Sequence, residues 1–145
     1  RHYPLDELLA QLKRLPAAKL KSHGSWSVSK VFQHLAQSIR YSRLGYPQAK
    51  STLFQYTAGA AALNVFSASG TMSHPLDEAI PGAPQLVDAV PNDVALAELV
   101  TEIELFIAWQ GDLAPHFAYG KLTKAQYYSA HYLHVQNHLQ EITLS

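Results

Sequence analysis

Apolar residues recur at helical spacing along most of the chain, and this periodicity limits the fold more than any other feature of the sequence. The first stripe consists of five leucines spaced three or four residues apart, at positions 5, 8, 9, 12 and 15. It lies between Pro4 and Pro16, so we predict a helix within these bounds. A second stripe follows Ser25 or Ser27, either of which is a suitable N-cap, and we predict that this helix ends near Gly45.

Three further stretches are predicted to be helical. The segment 51–69 is rich in alanine and apolar almost all round, which predicts a buried, bent helix. Another helix is predicted over residues 92–110, where apolar residues again recur on one side. The last helix is predicted to begin at Thr123, whose spacing to Gln126 is that of a capping box, and to run to about residue 142.

The predicted fold class is all-α, because no stretch shows the alternation expected of a strand. Residues 71–91 contain four prolines and Gly82, so they predict a long connection without regular structure. A connection of this length favours a crossover or a lid over a site. We therefore predict a single domain, residues 1–145, built as a four-helix bundle with a long crossover connection and an extra buried helical segment.

Composition excludes several classes of function. The 145 residues include eight histidines and no cysteine, which rules out disulfides, thiolate metal sites and a cysteine nucleophile. The chain has an isoelectric point near 7.3, so it lacks the strongly basic composition of a nucleic-acid-binding protein. The longest mostly apolar stretch, 58–66, is too short to span a bilayer. From the isoelectric point and this length, we expect neither nucleic acid nor a membrane as a partner. No signal peptide is visible and we predict a cytoplasmic location, while export stays open because the first residue is Arg1.

Charge is distributed unevenly along the chain. Residues 1–50 carry nine Lys and Arg against two acids, whereas residues 51–145 carry two Lys against nine acids. One interpretation is that a basic helix lies beside an acidic one and the two attract each other weakly. The other is that an anionic substrate is drawn to Lys30, Arg40 or Arg43.

The histidines of the last predicted helix form the main chemical pattern. His134 and His138 are four residues apart, about 6 Å along the helix axis and about 40° around it, so both imidazoles can converge on one cation. His131 and His134, three residues apart, are a second candidate chelate. A third ligand must come from elsewhere, and His34 in the second helix is the best candidate. The rival cluster of metal-ligating residue types lies in the proline-rich connection: His74, Asp77 and Glu78.

These residues also carry a resemblance to a known family. Trp26–Ser27 followed by His34–Leu35, with the later pair His134 and His138, resembles the DinB/YfiT-like metalloenzyme superfamily over nearly the whole chain. The resemblance implies a four-helix bundle with a three-histidine metal site formed by His34, His134 and His138. More narrowly, PHFAYGKLTKAQY at 115–127 and PGAP at 81–84 resemble an uncharacterised branch of that superfamily, a domain family of unknown function.

The resemblance also implies a function. Three neutral imidazoles leave at least one coordination position open, and zinc, nickel, manganese or iron could each occupy such a site. The implied activity is that of a metal-dependent enzyme acting on a small molecule, either a transferase that uses a low-molecular-weight thiol or a hydrolase. Leu139 stands where the superfamily often has a basic residue, so the substrates of characterised members do not carry over.

Supporting residues can be named as expectations. His116 and His131 are the candidate catalytic residues, His116 as a general acid or base and His131 as a pocket residue beside the ligands. The alternatives are that His116 is an ordinary loop histidine and that His131 forms a hydrogen bond to a tyrosine. Gln37, Glu102 and Glu141 are candidates for orienting the ligand imidazoles, because metal-binding histidines usually donate their other N–H. A different function stays open, in which the chain is a non-enzymatic helical binding or dimerisation module with a vestigial or structural metal site. A homodimer is an expected partner state under either view.

Overall fold

The computed structural model describes residues 5–48, 59, 61–64 and 76–144, and within them the chain is mostly helical. The first helix, α1 (Leu5–Lys13), follows the predicted leucine stripe. Its inward positions Leu5, Leu8 and Leu12 are fully buried, while Leu9 and Leu15 pack at the edge of the core. The spacing of the leucines therefore predicted both the helix and the face that it buries.

Helix α2 (Val28–Leu44) has clear signals at both ends. Ser27, one of the two candidate caps, accepts a hydrogen bond on its side chain from the backbone N–H of Lys30 at 3.2 Å. At the other end Gly45 has φ of 101°, a conformation that favours glycine, and its N–H donates to the carbonyl of Tyr41 at 2.8 Å. The predicted helix is confirmed, and its N-cap is Ser27.

Two more helices follow the proline-rich connection, α3 (Asn92–Ala108) and α4 (Lys124–Leu139). The predicted capping box is present at the start of α4. The backbone N–H of Gln126 donates to the hydroxyl of Thr123 at 3.1 Å, and the Thr123 N–H donates to the Gln126 side chain at 2.9 Å. These reciprocal hydrogen bonds satisfy donors that the first helical turn would otherwise leave unpaired.

The prediction of an all-α chain without strands is wrong in one respect. A 3₁₀ turn (Ala17–Lys19) leads into β1 (Leu20–Ser22), which pairs antiparallel with β2 (Ile142–Leu144) near the other end of the chain. Strands of three residues are too short to show an alternating pattern in sequence, and this pairing joins residues about 120 positions apart. It also explains why α4 ends at Leu139 rather than near 142.

The helices meet in one core, with α2 packed most extensively against α3. Ser29 near the start of α2 donates to the carbonyl of Val90 just before α3, and Arg43 near its end pairs with Glu102. The two helices therefore run parallel, an arrangement that requires a long crossover between them. The largest fully buried side chains include Phe32, Leu35 and Ile39 of α2, Leu99, Ile103 and Phe106 of α3, and Tyr127 of α4.

The predicted connection is confirmed over residues 76–91, which contain turns and no helix or strand. Of the predicted helix 51–69, residues 61–64 are helical, and the rest lies outside the described residues apart from position 59. The four-helix bundle as a topology stays a prediction for the same reason. The described part of the chain contains no helix whose length and hydropathy would suit a membrane crossing.

Glutamine side chains of α2 fasten the connection to that helix. Gln33 donates to the Val87 carbonyl at 2.7 Å and accepts from the Val87 N–H at 3.2 Å, and Gln37 donates to the Pro84 carbonyl at 3.0 Å. Both glutamines are more than nine-tenths buried and flank His34 in sequence. The connection therefore lies along the part of α2 that carries the candidate ligand.

Removing the Gln33 amide should loosen this attachment. We expect Gln33→Leu to lower the free energy of unfolding by about 1–2 kcal/mol, because it deletes both hydrogen bonds to the Val87 backbone. Urea unfolding followed by circular dichroism measures the change. Asp88→Ala is the matched control, since the Asp88 side chain is 70% exposed and its loss should cost less than about 1 kcal/mol. Equal losses in the two variants would contradict a specific role for Gln33.

Candidate metal centre

Helix α2 supplies one candidate ligand, His34, from its second turn. Ser27 fixes the first turn through its cap, and the apolar residues Val31, Phe32 and Leu35 turn their side chains into the core. His34 lies among these residues in sequence and is itself only 4% exposed. A buried imidazole at this position is held by packing on the same face that joins α2 to the other helices.

Helix α4 supplies the other two, His134 and His138, one turn apart. Their four-residue spacing places both side chains on one face of the helix, as the sequence predicts. His138 is fully buried and His134 is partly buried. The two rings meet edge to face, with centroids 4.8 Å apart and planes inclined by 75°.

The three imidazoles converge between α2 and α4. One ring nitrogen from each of His34, His134 and His138 lies within 4.8 Å of the other two. The Nε2 atoms of His34 and His134 are 3.1 Å apart, which is hydrogen-bonding distance between a ring N–H and a ring lone pair. The centroid of the His34 ring lies 5.0 Å from that of His134 and 4.9 Å from that of His138. No other group of this kind occurs among the residues that the structure describes.

The geometry fits a divalent cation. Zinc binds imidazole nitrogen at about 2.0–2.1 Å, so nitrogens around a tetrahedral ion lie roughly 3.3 Å from one another. The His34–His134 distance of 3.1 Å is close to this spacing, and the three ligand nitrogens all lie within 4.8 Å of one another. Three neutral imidazoles suit zinc, nickel, manganese or iron alike. The residues present could therefore hold a metal ion.

Trp26 forms one wall of this site. Its indole lies parallel to the His138 ring, with planes 4° apart and centroids 6.3 Å apart, and it tilts against His34 at 5.1 Å. The indole thus places an apolar aromatic surface against one side of both imidazoles. The sequence pattern singled out Trp26 only as part of a motif. Its eight-residue distance to His34 is the signal that could have suggested the contact.

His131 lies outside the triad although it precedes His134 by three residues. Its Nε2 is 3.1 Å from the hydroxyl of Ser42, which itself donates to the carbonyl of Ile39 at 2.6 Å. The Ser42 proton is thus used, so His131 must donate from Nε2. Its ring packs against Phe106 and Tyr127. The candidate chelate of His131 with His134 stays a prediction.

His116 is placed in the loop between α3 and α4, close to His131 rather than to the triad. Its Nδ1 accepts hydrogen bonds from the N–H groups of Ala118 and Tyr119, at 3.0 and 3.1 Å, and its ring stacks on Tyr119. Both His116 and His131 contact the ring of Tyr127. The two histidines therefore share an aromatic cluster beside the candidate metal centre, and their catalytic roles stay predictions.

Burial keeps both of these histidines neutral. Desolvation lowers the pKa of His116 to about 3 and that of His131 to about 3, with a smaller contribution to His131 from His116. An unfolded histidine has a pKa near 6.5. Between these values the unfolded chain binds protons that the folded chain does not, so stability is complete above pH 6.5 and falls as the pH drops toward 3.

This linkage predicts acid sensitivity that depends on His131. Below about pH 6 each such histidine should remove up to about 1.4 kcal/mol of unfolding free energy per pH unit. Urea unfolding at pH 6.0 and 5.0 measures the slope, and His131→Phe should reduce it by roughly that amount while retaining ring packing on Phe106 and Tyr127. An unchanged slope in the variant would show that folding does not lower the pKa of His131.

The remaining sequence candidates lie elsewhere. The Gln37 amide donates to the Pro84 carbonyl, and both carboxylate oxygens of Glu102 pair with arginines. Glu141 lies with its carboxylate against the backbone of Gly24. His74 falls outside the described residues, while Asp77 and Glu78 are exposed.

The charge asymmetry is explained by helix packing. Arg40 pairs with Glu98 and Glu102, both at 2.9 Å, and Arg43 pairs with Glu102 at 2.8 Å. Lys30, the third residue proposed to attract an anion, lies 3.6 Å from the carboxylate of Asp88. The structure therefore favours the interpretation in which basic α2 lies beside acidic α3.

Comparison with known proteins places the chain in a family without assigning a function. No curated protein and no solved structure matches it. A family model does match, over residues 1–145, and its description is "Protein of unknown function (DUF1569)". This agrees with the expected branch, a domain family of unknown function, and leaves the wider superfamily as a resemblance. The chain thus belongs to the DUF1569 family.

Proposed function

We propose that this protein is a metal-dependent enzyme that holds a divalent cation on His34, His134 and His138 and acts on a small molecule. The observation that carries the proposal is the convergence of three imidazoles from two helices, with one nitrogen of each within 4.8 Å of the others. Two of these histidines are buried and the third is partly buried. The resemblance to the DinB/YfiT-like metalloenzyme superfamily supports the same ligand set.

Three protein ligands favour a catalytic centre over a structural one. Structural zinc sites have four protein ligands, whereas catalytic sites use three and leave a position for substrate or water. When bound, the cation supplies Lewis acidity, which lowers the pKa of a water molecule or a thiol brought to it. Trp26 places its indole against one side of the His34 and His138 rings.

The absence of cysteine decides where a thiol would come from. The chain has none, so a thiol-dependent transferase would have to receive its thiol with the substrate. A hydrolase would use water at the same position. Both reactions need the same three imidazoles and differ only in the molecule that occupies the open position.

Cobalt substitution tests the proposal and distinguishes these reactions. We expect purified protein stripped with chelator to bind one Co²⁺ per chain, and 2-mercaptoethanol to produce a thiolate-to-cobalt absorption band. A band with the thiol supports the transferase, while a spectrum that responds to pH but not to thiol supports the hydrolase. Protein that binds no Co²⁺, Zn²⁺, Ni²⁺ or Mn²⁺ would overturn the proposal. Fluorescence of Trp26 should fall on loading, and Trp26→Phe identifies its contribution against that of Trp109.

A non-enzymatic binding or dimerisation module is the second candidate, favoured by an apolar groove. The groove lies between the end of α1 and α3, with a volume of about 630 Å³, and its walls include Leu15, Leu96 and Val100. Val94 and Leu105 of α3 are also 51% and 44% exposed. Light scattering before and after metal removal separates the candidates: a dimer that is indifferent to metal, with a cobalt spectrum that no added ligand changes, supports the module.

A further inference from the structure

Asn137 is a buried polar residue for which the fold offers no complete set of partners. It lies on α4 between two candidate ligands, three residues after His134 and one before His138. The residue is 7% exposed, and its amide Nδ2 has no hydrogen-bond partner among the described residues. Such buried donors are rare in folded proteins, and each requires an explanation.

Stability does not explain an asparagine here. A buried N–H without an acceptor destabilises the folded state, and asparagine is a poorer helix former than leucine in the middle of a helix. The neighbouring inward positions of α4, Leu133 and Val135, carry apolar residues and are buried to a similar degree. A leucine at position 137 would make the ligand-free protein more stable. The asparagine amide therefore needs an explanation other than folding stability.

Helical geometry places Asn137 on one particular flank of the candidate metal centre. Successive residues of a helix turn by about 100° around its axis. Viewed along α4, Asn137 and His131 therefore lie on opposite sides of His134, each about 60° from it. The His131 side is occupied by α2, because His131 contacts Ser42. Asn137 therefore lies next to His134 on the side of α4 that faces away from Ser42 of α2.

We propose that the Asn137 amide binds the substrate, donating a hydrogen bond from Nδ2 to an oxygen of the molecule that occupies the open coordination position. The inference rests on the proposed function, since it requires a cation at the three histidines. An N–H donor beside a Lewis acid selects ligands with two adjacent acceptor groups. The substrate class is thus a carboxylate, or a carbonyl compound with a second oxygen on the neighbouring carbon, with one oxygen directed to the cation and the other to Asn137.

The test compares two small ligands on cobalt-loaded protein. Acetate offers an acceptor oxygen to Asn137, whereas imidazole bound through one nitrogen turns a donor toward its surroundings. We expect Asn137→Leu to bind Co²⁺ as the wild type does, to bind acetate about fivefold to tenfold more weakly, and to bind imidazole unchanged. Its metal-free form should unfold at the same or a higher urea concentration than the wild type.

A matched variant and the order of measurements keep the outcomes separate. Gln136→Leu alters the adjacent polar residue, whose amide donates to the Tyr132 hydroxyl at 2.9 Å, and should leave acetate affinity unchanged. Wild-type protein that takes up no cobalt would overturn the proposed function itself. Normal cobalt loading with equal acetate affinity in wild type and Asn137→Leu would overturn this inference alone. So would a marked loss of stability in metal-free Asn137→Leu, because that result would assign the amide a structural role.

Discussion

Replacing any one of His34, His134 and His138 by alanine is expected to weaken zinc binding at least about 100-fold. Each imidazole would supply one of three protein bonds to the cation, and even residues that only support a metal ligand change affinity 10–100-fold when removed. Competition with a chromophoric chelator at pH 7.5 measures the affinity. The three losses should be of similar size, because the three nitrogens occupy one compact cluster.

The same variants should lose the stabilisation that zinc provides. A ligand that binds only the folded protein adds about 2.7 kcal/mol of unfolding free energy when its concentration is 100 times its Kd. The wild type should gain this much with excess zinc, whereas His134→Ala should gain almost nothing at the same concentration. Circular dichroism of the metal-free variants confirms that the helices are retained.

His23→Ala is the control for these substitutions. His23 is an exposed histidine whose Nε2 lies 2.6 Å from the hydroxyl of Thr143, outside the triad. Its loss should leave zinc affinity and the zinc-induced stabilisation unchanged. If a triad variant bound zinc as tightly as His23→Ala does, the histidine replaced in that variant would not be a zinc ligand.

The helices were predictable because their signals are local. The leucine spacing of α1, the Ser27 cap of α2 and the Thr123–Gln126 capping box of α4 each operate within a few residues of sequence. Where two caps were equally suitable, Ser25 and Ser27, only the structure could decide between them. The short sheet could not be predicted, since its three-residue strands depend on bringing residues 20–22 and 142–144 together.

The three candidate ligands could be predicted from the sequence, whereas the contacts of the residues around them could not. The four-residue spacing of His134 and His138 places them on one helix face. His34 was the best candidate for the third ligand, and the family resemblance then implied the same residue. The partner of His131 could not be predicted, because its contact with Ser42 depends on the register between α2 and α4. For the same reason the sequence left Glu102 as a candidate for orienting an imidazole, although α3 presents it to arginines of α2.

Glu102 is expected to be the most important charged residue for stability. Its carboxylate is 7% exposed and receives hydrogen bonds from Arg40 Nε at 2.9 Å and Arg43 Nη2 at 2.8 Å. The Arg43 side chain is only 10% exposed, and its guanidinium lies 5.5 Å from the Trp109 ring. We expect Glu102→Ala to lower the free energy of unfolding by about 3–5 kcal/mol, because it leaves a buried guanidinium without its counter-ion.

Glu98→Ala is the matched control for this prediction. Glu98 also accepts from Arg40, at 2.9 Å, but its side chain is 41% exposed, so its loss should cost less than about 1 kcal/mol. The double variant Glu102→Leu with Arg43→Met should recover much of the stability, because replacing both buried charges with apolar groups leaves neither one uncompensated. If Glu102→Ala lost no more than Glu98→Ala, water would have to replace the carboxylate. The contact between α2 and α3 would then be maintained by its apolar side chains alone.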